Sequence, residues 1–333
     1  VLSEVQCQDE AVAILRRVIE GKYVSPLLLV GEEGTGRRFA VYETIKEMVA
    51  ADRGGPKAPE VVQIARGVHP DVLYVTAPSE KEIGVEAARE VVDRAQLYPT
   101  ASPYRFFIVD GADRMTAAAA NALLKTLEEP PARSRFFLLA ERYDRVLNTI
   151  RSRCGRVPFR KLPTPFIISR LSAVEPDGDK ALVYGRMGEG SMGRATRYWG
   201  ASRLTLRDRV LSVLKYGVEG DVSSSFATID EIVQDLPLAL RFLRFLAHDL
   251  LVLPLDPDRV FNHDIRGGLA EMRARSSEAT WARLSGELKK LEDRYDSSYI
   301  NLSFHVKTAI VTVFSGVLSD GVSFRCPGRR VFW

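Results

Sequence analysis

Pro26-Leu27-Leu28-Leu29-Val30, then Gly31-Glu32-Glu33-Gly34-Thr35-Gly36, then a helical stretch opening at Arg37-Arg38, decides the fold class of this 333-residue chain. A short, continuous apolar run of this kind is buried on both faces in a parallel sheet. Strand, glycine-rich turn and helix, in that order, are what a phosphate-binding loop requires. The alternation continues outward. Before the turn, Val12, Leu15, Val18 and Ile19 recur on one face of a helix between Asp9 and Glu20; after it, Asp71–Val75 reads as a strand. Val85, Ala88, Val91, Val92 and Ala95 then mark an amphipathic helix. Arg105–Asp110 and Arg135–Ala140 are two further buried-type strands, flanking a helix that Thr116 starts and Pro130-Pro131 stops. Such alternation predicts an α/β domain with a parallel sheet and right-handed crossovers. Residues 51–62 read as a turn-rich insertion.

From Leu162 the strand-like runs largely vanish. Pro163 and Pro165 mark a linker, a small helical segment follows to about residue 204, and the remainder is helical by period, most strongly over 236–253 and 284–318. The expected organisation is therefore an α/β domain over residues 1–161, a helical lid over 162–204 and a helical third domain over 205–333, with no internal repeat. With 46% hydrophobic and 27% charged residues the composition is that of an ordinary globular protein, and no apolar run approaches the length of a membrane span. No secretory signal is visible at the N-terminus. A net charge of +4 permits contact with a polyanion without requiring it. Three well-separated cysteines, Cys7, Cys154 and Cys326, form neither a disulfide framework nor a metal cluster and fit a reducing compartment.

The loop itself lacks the groups that phosphate chemistry needs. Its glycines, Gly31, Gly34 and Gly36, have the spacing that lets backbone N–H groups wrap phosphates. Arg37 stands where a lysine would reach the β- and γ-phosphates, and Arg38 where a hydroxyl would hold Mg²⁺. A guanidinium has no acceptor and cannot ligate a cation. Asp110, at the end of its strand, has the position of a metal-orienting carboxylate, but the next residue is Gly111, which cannot polarise a water. Asp113 lies too far along to substitute. Two readings of residues 31–38 remain, a vestigial turn and a site that holds nucleotide without hydrolysing it.

Further segments carry a family likeness: His69-Pro70-Asp71-Val72, Tyr104 to Met115, Asn121-Ala122-Leu123-Leu124-Lys125-Thr126-Leu127-Glu128-Glu129-Pro130-Pro131, Thr149-Ile150-Arg151-Ser152-Arg153-Cys154 and Gly190-Ser191-Met192-Gly193-Arg194-Ala195. Together they resemble the clamp-loader subunits of bacterial DNA polymerase III, AAA+ proteins of the delta-prime and tau/gamma group, strongly over residues 8–200 and more weakly beyond. The resemblance implies an AAA+ α/β domain with a degenerate phosphate loop, a lid and an all-α collar. It also implies a cytoplasmic bacterial protein in a heteropentameric ring with tau/gamma and delta subunits. That ring acts on a sliding clamp and on primer–template DNA held through its backbone, and ATP is bound by a neighbouring subunit. Members commonly hold zinc through four cysteines just before the His-Pro-Asp segment; here residues 50–66 contain neither cysteine nor histidine, so no zinc is expected. Ala140-Glu141-Arg142 replaces the hydroxyl residue that senses γ-phosphate in hydrolysing relatives.

Within the resemblance, Arg153 is the residue that would reach into a neighbour's ATP site as an arginine finger, where charge spread over the γ-phosphate oxygens is stabilised by a fixed cation. Arg194 corresponds to the lid arginine that senses nucleotide; with the loop disabled, a structural role against a first-domain carboxylate is as good an expectation. Leu123, Leu124 and Leu127 read as core, leaving Lys125, Glu128 and Glu129 exposed. His69 is assigned no chemistry. No cofactor is required by this reading and no metal ligand is assigned. The alternative is a divergent ATP-hydrolysing tau/gamma-like subunit in which Arg37 does the lysine's work.

Overall fold

The computed structural model describes residues 2–77, 82–199, 201–295 and 301–318. These fall into two compact units, residues 1–167 with 189–194, and residues 168–188 with 195–333.

The first unit runs α1 (Asp9–Ile19), β1 (Leu27–Val30), α2 (Arg37–Asp52), α3 (Pro59–Ala65), β2 (Val72–Thr76), α4 (Val85–Ala95), β3 (Arg105–Asp110), α5 (Ala117–Glu128), β4 (Ser134–Ala140), α6 (Asn148–Arg151) and β5 (Gly155–Pro158). All five strands are parallel, in the order β2-β3-β4-β1-β5. Alternate side chains enter two different cores. Leu27, Leu29, Phe106, Ile108, Phe137 and Leu139 meet α1, α2 and α3 on one face. Leu28, Val30, Phe107, Val109, Phe136 and Leu138 meet α4 and α5 on the other. Burial on both faces is why these strands carry no polar alternation. Phe107 and Phe136, register partners, stack at 4.8 Å.

The sequence reading anticipated four strands and missed β5. Of its residues Gly155, Arg156, Val157 and Pro158, only Val157 is a buried apolar side chain. Edge position explains the tolerance, since the proline withdraws a donor only where the sheet ends. The stretch 51–62 also departs from expectation. Its first two residues finish α2, its last four begin α3, and only the turn between them, with Gly54 and Gly55 at φ 82° and 124°, is irregular. Val61 and Ile64 of α3 are buried in the core beside α2.

The His-Pro-Asp segment has a structural explanation. Asp71, fully buried, accepts hydrogen bonds from the Thr100 backbone N–H (2.8 Å), the Thr100 hydroxyl (2.9 Å), the Ala101 N–H (2.7 Å) and the Ser102 hydroxyl (3.2 Å), with the Arg105 guanidinium 3.4 Å away. It thereby pins the connection between α4 and β3. His69 accepts the Asp71 N–H at Nδ1 (3.1 Å), and burial pushes its pKa down, which favours the neutral ring that this acceptor role uses.

Among the described residues of the second unit every regular element is helical. α7 (Thr164–Ser172) spans the division at 167, followed by α8 (Gly178–Met187), α9 (Met192–Tyr198), α10 (Ala201–Glu219), α11 (Val222–Glu231), α12 (Leu236–Val252), α13 (Arg266–Ala274), α14 (Glu278–Tyr295) and α15 (Leu302–Leu318). α10 continues unbroken across residues 204 and 205. The periodic positions Leu288, Leu291, Leu302, Val306, Ala309 and Val313 are buried. Trp281 packs edge-on against Phe314 at 5.8 Å. Buried Asp249 accepts from the backbone N–H groups of Phe261 (2.7 Å) and Asn262 (2.8 Å), fastening the segment after α12. Tyr295's side chain and Cys326 lie outside the described residues.

Asp71→Ala removes this anchor and leaves a buried guanidinium without its carboxylate, so unfolding free energy measured with denaturant is expected to fall by about 3 kcal/mol. Burial alone would raise the Asp71 pKa, but bonds from Ala101, Thr100 and Ser102 outweigh it and hold it below the ordinary value. The contribution is therefore fully present above the unfolded carboxylate's pKa of about 3.9 and is lost as pH falls through the depressed native value. A wild-type stability profile that is flat through that acidic range would contradict this.

Candidate functional site

The sheet order brings the turns after β1, β3, β4 and β5 to the carboxyl edge, where open α/β sheets place their ligands. The turn after β1 is sutured to its neighbours by backbone bonds: Gly31 N–H to the Ala140 carbonyl (3.1 Å) and Phe159 N–H to the Val30 carbonyl (2.6 Å). Gly31 has to be glycine for space, because a Cβ there would lie 2.5 Å from the Phe159 carbonyl oxygen. Gly36, at φ 102° with open space around it, is needed for conformation and caps α2.

Gly34 is glycine for both reasons. Its φ is 74°, and a Cβ would lie 2.2 Å from Ser191 Oγ and 2.6 Å from Gly193 N. The segment 189–194 lies directly against the loop. Met192 N–H donates to the Gly34 carbonyl (3.0 Å), and the Ser191 hydroxyl donates to the Glu33 carbonyl (2.8 Å). The Gln8 amide, itself buried, donates to the carbonyls of Thr35 (3.3 Å) and Arg160 (2.7 Å) and accepts from Arg160 N–H (2.9 Å).

The charges of the loop are neutralised within the chain. Arg194 Nη2 donates to Glu32 Oε2 (2.9 Å) and Lys161 Nζ lies 3.1 Å from Glu32 Oε1. Burial pushes the Glu32 pKa up, but these two cations outweigh it and hold it low. Arg37, 7% exposed, reaches Glu141 at 3.8 Å. Burial lowers the Arg37 pKa, while the carboxylates of Glu141, Asp110, Asp113 and Glu33 act to raise it. Asp110 Oδ2 accepts from the Tyr74 hydroxyl (2.6 Å), which in turn accepts from Arg38 Nη1 (3.3 Å). Asp113 accepts from the N–H groups of Glu141 (3.1 Å) and Arg142 (3.0 Å) and so shapes the turn after β4. The fold thus gathers Gly31, Gly34, Gly36, Arg37, Asp110 and Arg194. Sequence reasoning missed Glu141's pairing with Arg37, Tyr74 on Asp110 and Lys161 on Glu32. Only the placement of Glu141 directly after β4 offered a signal.

Arg153 belongs to a second cluster, between the end of α5 and the turn after α6. Its Nε and Nη2 both donate to Glu128 Oε2 (3.2 and 3.1 Å), and its Nη1 donates to the Thr149 carbonyl (3.1 Å). Lys125, Glu128 and Glu129 are exposed, whereas Leu123 and Leu127 are buried. Cys154, next in sequence, has its thiol pKa pushed up to about 12 by burial. Among the described residues no group of three or more His, Cys, Asp or Glu side chains is placed to hold a metal ion, and no helix is long and apolar enough to cross a membrane.

A family model described as DNA polymerase III, delta subunit matches residues 7–163. The DNA polymerase III subunit delta' of Escherichia coli is 32% identical over 232 residues, covering 68% of this chain and 69% of that protein. DNA polymerase III subunit tau of Bacillus subtilis is 30% identical over 161 residues, 47% of this chain and 28% of that one. A gamma-subunit-related protein of Thermotoga maritima superposes with a TM-score of 0.50 at 20% identity, over 92% of this chain and 99% of that chain, a likeness of fold.

Gly34→Ala is expected to destabilise the protein by about 2 kcal/mol or more, combining αL strain with the clash at Ser191 and Gly193. The amides of 191–193 should then lose hydrogen-exchange protection before the sheet does; unchanged protection there would refute the packing argument. Cys154, at pH 8, should resist alkylation in the native protein, whereas exposed Cys7 should react. Mass spectrometry of iodoacetamide adducts distinguishes the two sites, and equal labelling would contradict the assigned burial.

Proposed function

This chain belongs to the delta-prime/tau/gamma family of DNA polymerase III clamp-loader subunits, and from that membership we propose that it is the delta-prime-type ring member, which hydrolyses no ATP of its own and lends Arg153 to the ATP site of an adjacent tau/gamma subunit. The observation that carries this reading is the internal neutralisation of the phosphate loop. Lys161 and Arg194 are engaged by Glu32, Arg37 is buried among carboxylates, and Asp110 is hydrogen-bonded to Tyr74. Mg²⁺–ATP fits this set poorly: Arg38 offers no oxygen for the metal, Gly111 no base, and the lid arginine would have to leave a carboxylate to meet a phosphate.

Arg153 has the opposite character. It is partly exposed, always charged, and has donors to offer to a partner outside the chain. In this reading the first unit lies beside a tau/gamma subunit, and the ring, completed by a delta subunit in the bacterial cytoplasm, presents itself to the sliding clamp and to primer–template DNA. Contacts to DNA would go to backbone phosphate and weaken with salt. No cofactor and no zinc belong to the chain itself. The observed geometry offers nothing in favour of the ATP-hydrolysing alternative, in which Arg37 would have to leave its carboxylates.

The purified chain is expected to show no Mg²⁺–ATP turnover; turnover abolished by Asp110→Ala would establish the alternative instead. In the reconstituted complex, Arg153→Ala should slow single-turnover hydrolysis at the adjacent site by about 10³-fold while assembly and ATP binding persist. An unchanged rate would remove the finger role.

A further inference from the structure

We propose that Glu128 is the positioning residue for Arg153, holding its guanidinium by one edge so that the other meets the neighbour's phosphate. This inference rests on the finger reading and deepens it. A guanidinium has five N–H donors in one plane. Glu128 Oε2 takes one from Nε and one from Nη2, while Nη1 faces the Thr149 carbonyl and, at 3.4 Å, the Ser152 hydroxyl. The second Nη2 hydrogen lies on the edge away from Glu128 and has no acceptor among the described residues. The two bonds to one carboxylate oxygen set the direction of the group, and the third, from Nη1 to the Thr149 carbonyl, restrains rotation of its plane.

Glu128 is well placed for this task. It is the last residue of α5, a helix anchored by buried Ala119, Ala120, Leu123 and Leu127, so the carboxylate is carried by a rigid element. Arg153 sits in a turn, where a long side chain samples many rotamers unless something selects one. The pair is exposed, with Glu128 60% and Arg153 29% accessible. Pairs of this kind add little to stability, so the contact's consequence is orientation rather than folding. An incoming phosphate oxygen can be met without breaking the Glu128 bonds, so the guanidinium is oriented before the neighbour arrives.

The test is single-turnover ATP hydrolysis by the reconstituted complex with Glu128→Ala, Glu128→Gln, Arg153→Ala and the Glu128→Ala/Arg153→Ala double variant. Glu128→Ala is expected to lower kcat by about tenfold with the KM for ATP and assembly unchanged. Glu128→Gln, which keeps an accepting oxygen, should recover part of that loss. On the Arg153→Ala background the Glu128 substitution should have no further effect, because the two act as a unit. In the isolated chain, the Arg153 Nε hydrogen should exchange with solvent faster in Glu128→Ala than in the wild type. A rate within about twofold of wild type for Glu128→Ala, or an equal loss on the Arg153→Ala background, overturns the positioning role. If Arg153→Ala itself leaves the rate unchanged, the finger reading fails and this inference fails with it. A loss confined to Arg153→Ala removes Glu128 alone.

Discussion

Everything at the candidate site depends on β1 running between β4 and β5 with both of its faces buried. That placement sets the turn after β1 beside the turns after β4 and β5, and the registers Val30↔Ala140 and Val30↔Pro158 fix them level with one another. Gly31, Glu141 and Phe159 then emerge together at one end of the sheet. The resulting crowding is what demands glycine at position 31. A phosphate loop in this setting cannot drift, whether or not it holds a phosphate. Its shape therefore follows from the sheet.

Internal neutralisation is the chemical character of this loop. A phosphate site is normally an excess of N–H dipoles and cations waiting for an anion. Here the turn carries two glutamates, Glu32 and Glu33. Glu32 faces Lys161 and Arg194, and Glu33, with Asp110, Asp113 and Glu141, offsets Arg37. A buried guanidinium without such carboxylates would be strongly destabilising, and removing one partner from a buried pair costs more than the pair contributes. Once Arg37 is inside, the carboxylates become structural requirements. Among these charges, the Glu32–Arg194 pair also holds residues 189–194 against the loop.

How legible this was in the sequence depended on whether the signal was local. β1, β3 and β4 were visible because burial on both faces leaves uninterrupted apolar runs such as Leu27–Val30 and Phe136–Ala140, and the edge strand β2, only partly buried, was visible because Val72, Leu73, Tyr74 and Val75 are an apolar run all the same. β5 was not, because an edge strand needs only Val157 to face the core and tolerates Gly155 and Pro158. The turn-rich reading of 51–62 failed for a related reason: the glycines and prolines there punctuate a short turn, while Val61 and Ile64 already belong to a helix. At the site, the loop glycines could be picked out by spacing, Asp110 by its likeness to a second phosphate-site motif, and Arg194 by the family resemblance. Glu141, Tyr74, Lys161 and Glu128 could not, since each acts through a partner distant in sequence, from 25 residues for Glu128 with Arg153 to 129 for Lys161 with Glu32. Tertiary pairing of charges leaves no periodic trace.

The neighbours of Arg153 carry the argument about its role one step further. The run Arg151, Arg153, Arg156 looks uniform in sequence, yet its members have different surroundings. Arg151 and Arg156 lie against the ring of Tyr143, at 4.9 and 4.5 Å from its centroid. Each such contact is worth about 0.5–1 kcal/mol at an exposed site, which is enough to favour one rotamer over its competitors. The chain is therefore tied to Tyr143 on both sides of Arg153, while Arg153 itself turns to Glu128. Between two fixed points, the turn Ser152–Gly155 has little freedom to move its guanidinium relative to α5. Arg153 is held by hydrogen bonds from Nε and Nη2 to Glu128 and from Nη1 to the Thr149 carbonyl, and preorganisation of that kind is what a cation offered to a phosphate in another subunit requires.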